Sequence, residues 1–182
     1  MSQTGYVVLG LVSRQPTAGH ELARFAEISI KNFFPLTRSH IYTELEKLEG
    51  LGLLSSTEVP QDRLPTKRVY EITAEGESVL GKWLAEAPVE EEKDRCPMLV
   101  RVFFGERLST ERLTTLLDEY EESARARRDW YAGFVDQLVD EPEYGFPRLT
   151  AIFGVKREQA KLDFVAEART LLPGLIEGAK NA

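Results

Sequence analysis

The sequence predicts a mostly α-helical protein in two parts. Residues 1–87 hold three short helices, a two-stranded hairpin and a fourth helix, and residues 88–182 hold helices alone. Three observations carry this reading. Apolar residues recur at spacings of three and four along most of the chain, the mark of helices with one buried face. Two β-prone runs interrupt that pattern, Leu53-Leu-Ser-Ser-Thr-Glu-Val59 and Lys67-Arg-Val-Tyr-Glu-Ile72, separated by the polar stretch Pro60–Thr66 with a proline near each end. Pro88 and the acidic run Glu90-Glu-Glu-Lys-Asp94 read as a solvated linker between the two parts.

The elements follow in order. Tyr6-Val-Val-Leu-Gly-Leu-Val12 is apolar nearly all round and reads as a buried helix, ended by Pro16 and Thr17, where a second helix starts. That helix has an apolar face of Leu22, Phe25 and Ile28. Pro35 closes the next stretch, and Thr37 is a suitable N-cap for a third helix, in which Ile41, Leu45 and Leu48 share one edge. Gly50 and Gly52 stop it. The two β-prone runs then form a hairpin, its loop longer than a tight turn. Thr73 caps a fourth helix whose buried side is Val79, Leu80, Trp83 and Leu84. Beyond the linker, Cys96–Phe104 is a short apolar helix, and Ser109 caps a long one with Glu111 in its first turn. Its apolar seam runs Leu113, Leu117, Tyr120, Ala124, Tyr131, Phe134, Leu138, with Arg127 at the skipped position, a 3.5-residue spacing typical of paired helices. Pro142 and Pro147 break it, and a last helix is expected from about Arg148 to Leu171.

Composition narrows the function. The chain is 42% hydrophobic and 29% charged, as globular proteins are. No apolar run approaches the ~18 residues a membrane helix needs. The first residues lack the pattern of a signal peptide. Cys96 is the one cysteine, which excludes an internal disulfide and fits a reducing, cytoplasmic setting. His20, His40 and Cys96 cannot make an ordinary zinc site, and no motif for a nucleotide, a cofactor or a catalytic serine is present. No cofactor, metal or catalytic residue is expected, and the chain does not read as an enzyme. Net charge is −7, and residues 1–87 carry 9 Lys+Arg against 11 Asp+Glu, so a nucleic-acid site has to be a local patch.

That patch is the third helix. Opposite its apolar edge stand Ser39, His40, Thr43, Glu46 and Lys47, with Tyr42 at the flank. Helix, helix, helix, strand, wing, strand, helix is the order of a winged helix-turn-helix, whose third helix buries one face and offers the other to the major groove. Small hydroxyls permit close approach to base edges. The free amides at the helix start, from Thr37 through Arg38 to Ser39, suit a phosphate. Arg63, Lys67 and Arg68 on the wing would meet a neighbouring groove or backbone. The alternatives are a winged-helix protein-interaction module without DNA affinity, and an enzyme built on surface carboxylates.

Particular residues add a resemblance. Ile41, Tyr42, Leu45, Leu48, Glu49, Gly52 and Leu53, then Tyr70, Thr73 and Gly76 with Trp83 beyond, and Gly19-His20-Glu21-Leu22 earlier, resemble the PadR family of bacterial transcriptional regulators over about residues 5–87. His20 stands where that family commonly has a tyrosine. The second half is similar to the helical dimerisation region of the longer PadR-type proteins, several of which are repressors released by phenolic acids. The resemblance implies a homodimer on a palindromic DNA operator and a small aromatic effector; His20 and Trp83 are candidate effector contacts on a different ground, as residues expected to face a cavity between the two halves. The seam from Leu113 to Leu138 is expected to exceed what the last helix can cover, which makes it the candidate dimer surface.

Overall fold

The computed structural model describes residues 1–61, 64–89 and 95–180, and divides into two compact units, residues 1–91 and 92–182. Unit 1 contains α1 (Gln3–Val12), β1 (Thr17–Ala18), α2 (Gly19–Ser29), α3 (Arg38–Gly50), β2 (Leu54–Gln61), β3 (Leu64–Ile72) and α4 (Ala74–Glu86). This is a winged helix whose antiparallel sheet has three strands in the order β1-β3-β2. The wing itself is the expected two-stranded hairpin of β2 and β3, and β1 adds a third strand on the other edge of β3. Thr17 and Ala18, read as the start of a helix, instead pair with Tyr70 and Val69. The wing's loop differs. Both strands run through their prolines, Pro60 and Pro65, and a register shift between Val59 and Gln61 accommodates them, so the loop is shorter than expected.

The core of unit 1 gathers α1, α2, α3, α4 and the strands: Val8, Leu9, Val12, Leu22, Ala26, Ile41, Leu45, Leu48, Leu54, Tyr70 and Leu80. Two sequence expectations shift by one helical step. Ala23 and Ala26, rather than Ile28, join Leu22 on the buried face of α2, and Leu84 on α4 is exposed. The exit of α3 explains the second of its two glycines. Gly52 takes φ +72°, a left-handed position that suits glycine. There its N–H donates to Glu49 O and Leu53 N–H donates to Leu48 O, both at 2.9 Å, which closes a Schellman turn. Thr73 then pins α4 to that exit. Its hydroxyl accepts from Gly76 N–H at 3.1 Å and donates to Gly52 O at 2.8 Å.

Unit 2 contains α5 (Pro97–Phe103), α6 (Thr110–Gln137) and α7 (Gly145–Lys180), with single 3₁₀ turns before α6 and α7. Ser109 caps α6, accepting from Arg112 N–H. The last helix is longer than expected at both ends. Pro147 lies in its first turn, where the missing N–H removes no helical bond, and the helix continues past Pro173. At 1.5 Å per residue the 36 residues of α7 span roughly 54 Å, against roughly 42 Å for the 28 of α6. The two helices pack antiparallel. Arg169 bonds Asp118 at one end, Gly154 admits the ring of Tyr131, and Arg148 donates to Val135 O at the other. No described helix is long and apolar enough to cross a membrane.

Candidate nucleic-acid interface

The polar edge of α3 is set by its buried edge. Ile41, Leu45 and Leu48 are 1%, 0% and 0% exposed, which fixes the helix rotation. Arg38, Ser39, His40, Tyr42, Thr43, Glu46 and Lys47 are all solvent-exposed as a result. Thr37 accepts from His40 N–H at 3.2 Å and so closes the first turn. Tyr42 leans on the start of α2. A methyl group at Gly19 would come within 2.6 Å of its ring, so the glycine is what admits it.

The acidic residues of α3, which would repel phosphates, are mostly turned to other work. Glu44 folds back to the N-terminus of α1, accepting from Ser2 Oγ at 2.9 Å, with Lys47 Nζ at 3.7 Å. A carboxylate is favoured at a helix N-terminus. Glu49 accepts from Arg68 Nη2 at 2.7 Å through both oxygens and from Ser56 Oγ at 2.6 Å. Glu46 is left exposed on the outward edge.

The wing cations are engaged as well. Lys67 Nζ reaches Glu21 Oε1 at 3.1 Å, and Glu21 Oε2 accepts from Ala18 N–H at 3.1 Å. The Ala18 amide first and Lys67 second hold the Glu21 carboxyl below its ordinary range. Arg38 has no ion pair within 4.0 Å among the described residues. Arg63 lies outside the described residues. His20, Tyr42, Thr66, Lys67, Arg68 and Tyr70 line a cleft of about 280 Å³ beside α3. Trp83 is not among its walls and instead stacks on Tyr6 at 4.7 Å, with the rings 8° from parallel. His20 and Trp83 are therefore not brought together as the sequence reading paired them.

In unit 2 the seam expected to pair two copies is largely covered within the one chain. Leu113, Leu117, Ala124 and Tyr131 are buried within the one chain, and Tyr120, Phe134 and Leu138 are partly buried. The cover is α7, which runs antiparallel along α6 from Arg148 beside Val135 to Arg169 beside Asp118, with Val165 of α7 and Met98 of α5 packed against Leu116 and Leu117. Arg127 of the seam pairs at 3.3 Å with Glu158, a carboxylate with no solvent exposure that also meets Arg157 at 3.4 Å and Lys161 at 2.9 Å. The apolar surface left outside is a different one. On α7, Phe146, Leu149 and Phe153 form a stripe at helical spacing with Phe146 84% exposed, and Trp130 is exposed on α6. Leu99, Val100 and Phe103 of α5 and its C-cap residue Phe104 are exposed too.

A short strand-flanked wing, three helices packed on it and an outward polar third helix define the class: a winged helix-turn-helix joined to a helical unit. Residues 8–82 match the transcriptional regulator PadR-like family, and residues 95–173 match the family described as virulence activator alpha C-term. The chain is thus similar, over residues 8–82, to a family of transcriptional regulators. It is 22% identical over 138 residues to the negative transcriptional regulator PadR of Bacillus subtilis, covering 76% of each chain. It is 35% identical over 81 residues to the Mycobacterium tuberculosis protein named "Probable transcriptional regulator Rv1176c", spanning 44% of this chain and 43% of that relative's length. Among solved structures, Bacillus subtilis PadR in complex with operator DNA superposes with a TM-score of 0.84 at 21% identity, covering 92% of this chain and 97% of that one. The same protein in complex with p-coumaric acid superposes at 0.79 with 20% identity, covering 92% and 97%.

Proposed function

We propose that the chain is a homodimeric repressor that binds a palindromic DNA operator through α3 and the wing and is released by a small aromatic ligand. The observation that carries DNA binding is the division of α3. Ile41, Leu45 and Leu48 leave no freedom of rotation, and Ser39, His40, Tyr42, Thr43 and Lys47 face outward together. In this reading the first-turn amides behind Thr37 and the side chain of Arg38 meet phosphate, the hydroxyls and His40 meet base edges, and Lys47 and Lys67 flank them. The operator-bound relative of the same fold supports the assignment.

Homodimerisation is supported by the apolar stripe Phe146, Leu149, Phe153 with Trp130, since each such side chain left in water forgoes ~1.5–3 kcal/mol. Two copies place two α3 helices about one DNA turn apart, roughly 34 Å. Repression and release by a small aromatic acid are supported by a relative named as a negative regulator and by the ligand in its structure. Such a ligand acts by binding the DNA-incompetent dimer better, so ligand and DNA must weaken each other equally.

The test is binding of the full chain to duplexes enriched from a random-sequence pool. Affinity should fall steeply with salt, and Lys47→Glu should abolish the enriched band. Addition of phenolic acids should release the DNA. Enrichment of nothing would refute the DNA reading, and release by no aromatic acid would refute the effector reading alone.

A further inference from the structure

The wing carries two neighbouring cations, and the structure gives them different partners. Successive residues of a strand point to opposite faces. Lys67 goes one way, to Glu21 of α2, while Arg68 goes the other, to α3. Arg68 does more than form an ion pair. Its Nε donates to Ser56 Oγ at 2.7 Å, and its Nη2 donates to both Glu49 oxygens at 2.7 Å. Ser56 Oγ donates in turn to Glu49 Oε1 at 2.6 Å. The guanidinium also sits 5.5 Å from the ring centre of the buried Tyr70. Three side chains from the last turn of α3, from β2 and from β3 thus close one ring of charge-assisted hydrogen bonds, the strong kind.

We infer that Arg68 is a positioning residue: with Glu49 and Ser56 it fixes the angle between the wing and α3, and it does not contact phosphate. The inference rests on the DNA reading above, and it runs against what a basic residue on a wing ordinarily suggests. Glu49 is the informative partner. It is only 25% exposed, so its carboxylate is committed to the ring and is not part of a solvated face. Wing and recognition helix then meet DNA as one body, with the angle set beforehand rather than upon binding.

Opposite signs separate the two roles. If Arg68 is a phosphate contact, Glu49→Gln frees it and removes a negative charge, so DNA binding strengthens. If Arg68 positions the wing, Glu49→Gln weakens binding by about tenfold, the scale of one lost charged hydrogen bond. Arg68→Met should weaken binding similarly and leave the salt slope unchanged, whereas loss of a phosphate contact lowers that slope by about one. The exchange Glu49→Arg with Arg68→Glu should recover most of the affinity. The probe is a duplex that the unmodified chain enriches from a random-sequence pool. Stronger binding by Glu49→Gln, or a lowered slope for Arg68→Met, would overturn the inference.

A DNA-free measurement keeps it distinct from the DNA reading. In Glu49→Gln, amide hydrogens of β2 and β3 should exchange faster, while those of α1 stay protected. Unchanged wing exchange would overturn the inference whether or not the chain binds DNA.

Discussion

Gly76 and Gly81 lie in the same helix, α4, and the structure predicts that alanine at the two positions acts with opposite sign. Replacing a helical glycine by alanine ordinarily stabilises by about 0.5–1 kcal/mol through lost backbone freedom in the unfolded chain. At Gly81 nothing lies within 4 Å of where the new methyl would sit, so that gain should appear in full. At Gly76 the methyl would overlap the Leu53 carbonyl oxygen and sit 2.8 Å from Ile72 Cγ1. The carbonyl is backbone and already accepts Thr73 N–H at 3.1 Å, so it cannot swing aside as a side-chain tip would. Overpacking costs about 1–3 kcal/mol. A backbone obstacle belongs at the upper end, leaving a net loss of about 1–2 kcal/mol after the propensity gain. For a chain of this size each kcal/mol moves the midpoint by about 2–4 °C. Thermal unfolding followed by circular dichroism should place Gly81→Ala above the parent and Gly76→Ala below it. Gly76→Ala should also bind DNA more weakly, since Leu53 lies in the turn by which the chain leaves α3. A Gly76→Ala protein as stable as Gly81→Ala would refute the claim that this contact holds α4 to the exit of α3.

Three further outcomes are expected. Glu158→Gln leaves Arg127, Arg157 and Lys161 around a neutral group, and because those cations are 25–49% exposed the loss should be about 1–3 kcal/mol, below that of a fully buried pair; an unchanged urea midpoint would contradict it. Glu21 is held below its ordinary value of 4.5, so its contribution to stability is complete above that pH and lost as pH falls through the lowered value. Glu21→Gln should therefore flatten the acid limb of the stability profile, and an identical limb in both proteins would remove the Ala18 and Lys67 contacts from the account. Sedimentation should give a dimer at micromolar concentration for the parent and a monomer for Phe146→Ser with Phe153→Ser; a dimer that survives both changes would move the interface elsewhere.

Much of the first unit was legible because its elements are punctuated locally. Thr37 and Thr73 cap helices by side chain, Gly52 needs a positive φ, and the spacing of Ile41, Leu45 and Leu48 fixes which face of α3 is free. The wing was less legible, because Pro60 and Pro65 argue against strand in isolation and only the register shift makes room for them. β1 is two residues long and exists through its pairing with β3, which no local pattern announces. The linker run Glu90–Asp94 lies outside the described residues.

The second unit misled for a related reason. The seam on α6 was read correctly as a buried helix face, but its cover is the antiparallel α7 of the same chain, a long-range pairing that no local pattern announces. Half of the Glu158 cluster was visible: Arg127 was the break in the seam. The matching break, a glutamate in the α7 stripe of Ala151, Gly154 and Val165, gains meaning only once the two helices are paired. The partners of Glu21, Glu44 and Glu49 are also long-range. A charge count over residues 1–87 therefore gives the sum correctly and says nothing of which carboxylates face DNA.

In the proposed function the outward edge of α3 reads bases while the flanking cations position the chain. Enrichment from a random-sequence duplex pool by the parent and by Thr43→Val and Lys67→Ala tests it most directly. Thr43→Val should enrich a different sequence, altered at one position of each half-site, with a discrimination change of about 1–3 kcal/mol. Lys67→Ala should enrich the parent's sequence with uniformly lower affinity and a shallower salt slope. An unchanged preference for Thr43→Val beside a changed one for Lys67→Ala would contradict the account.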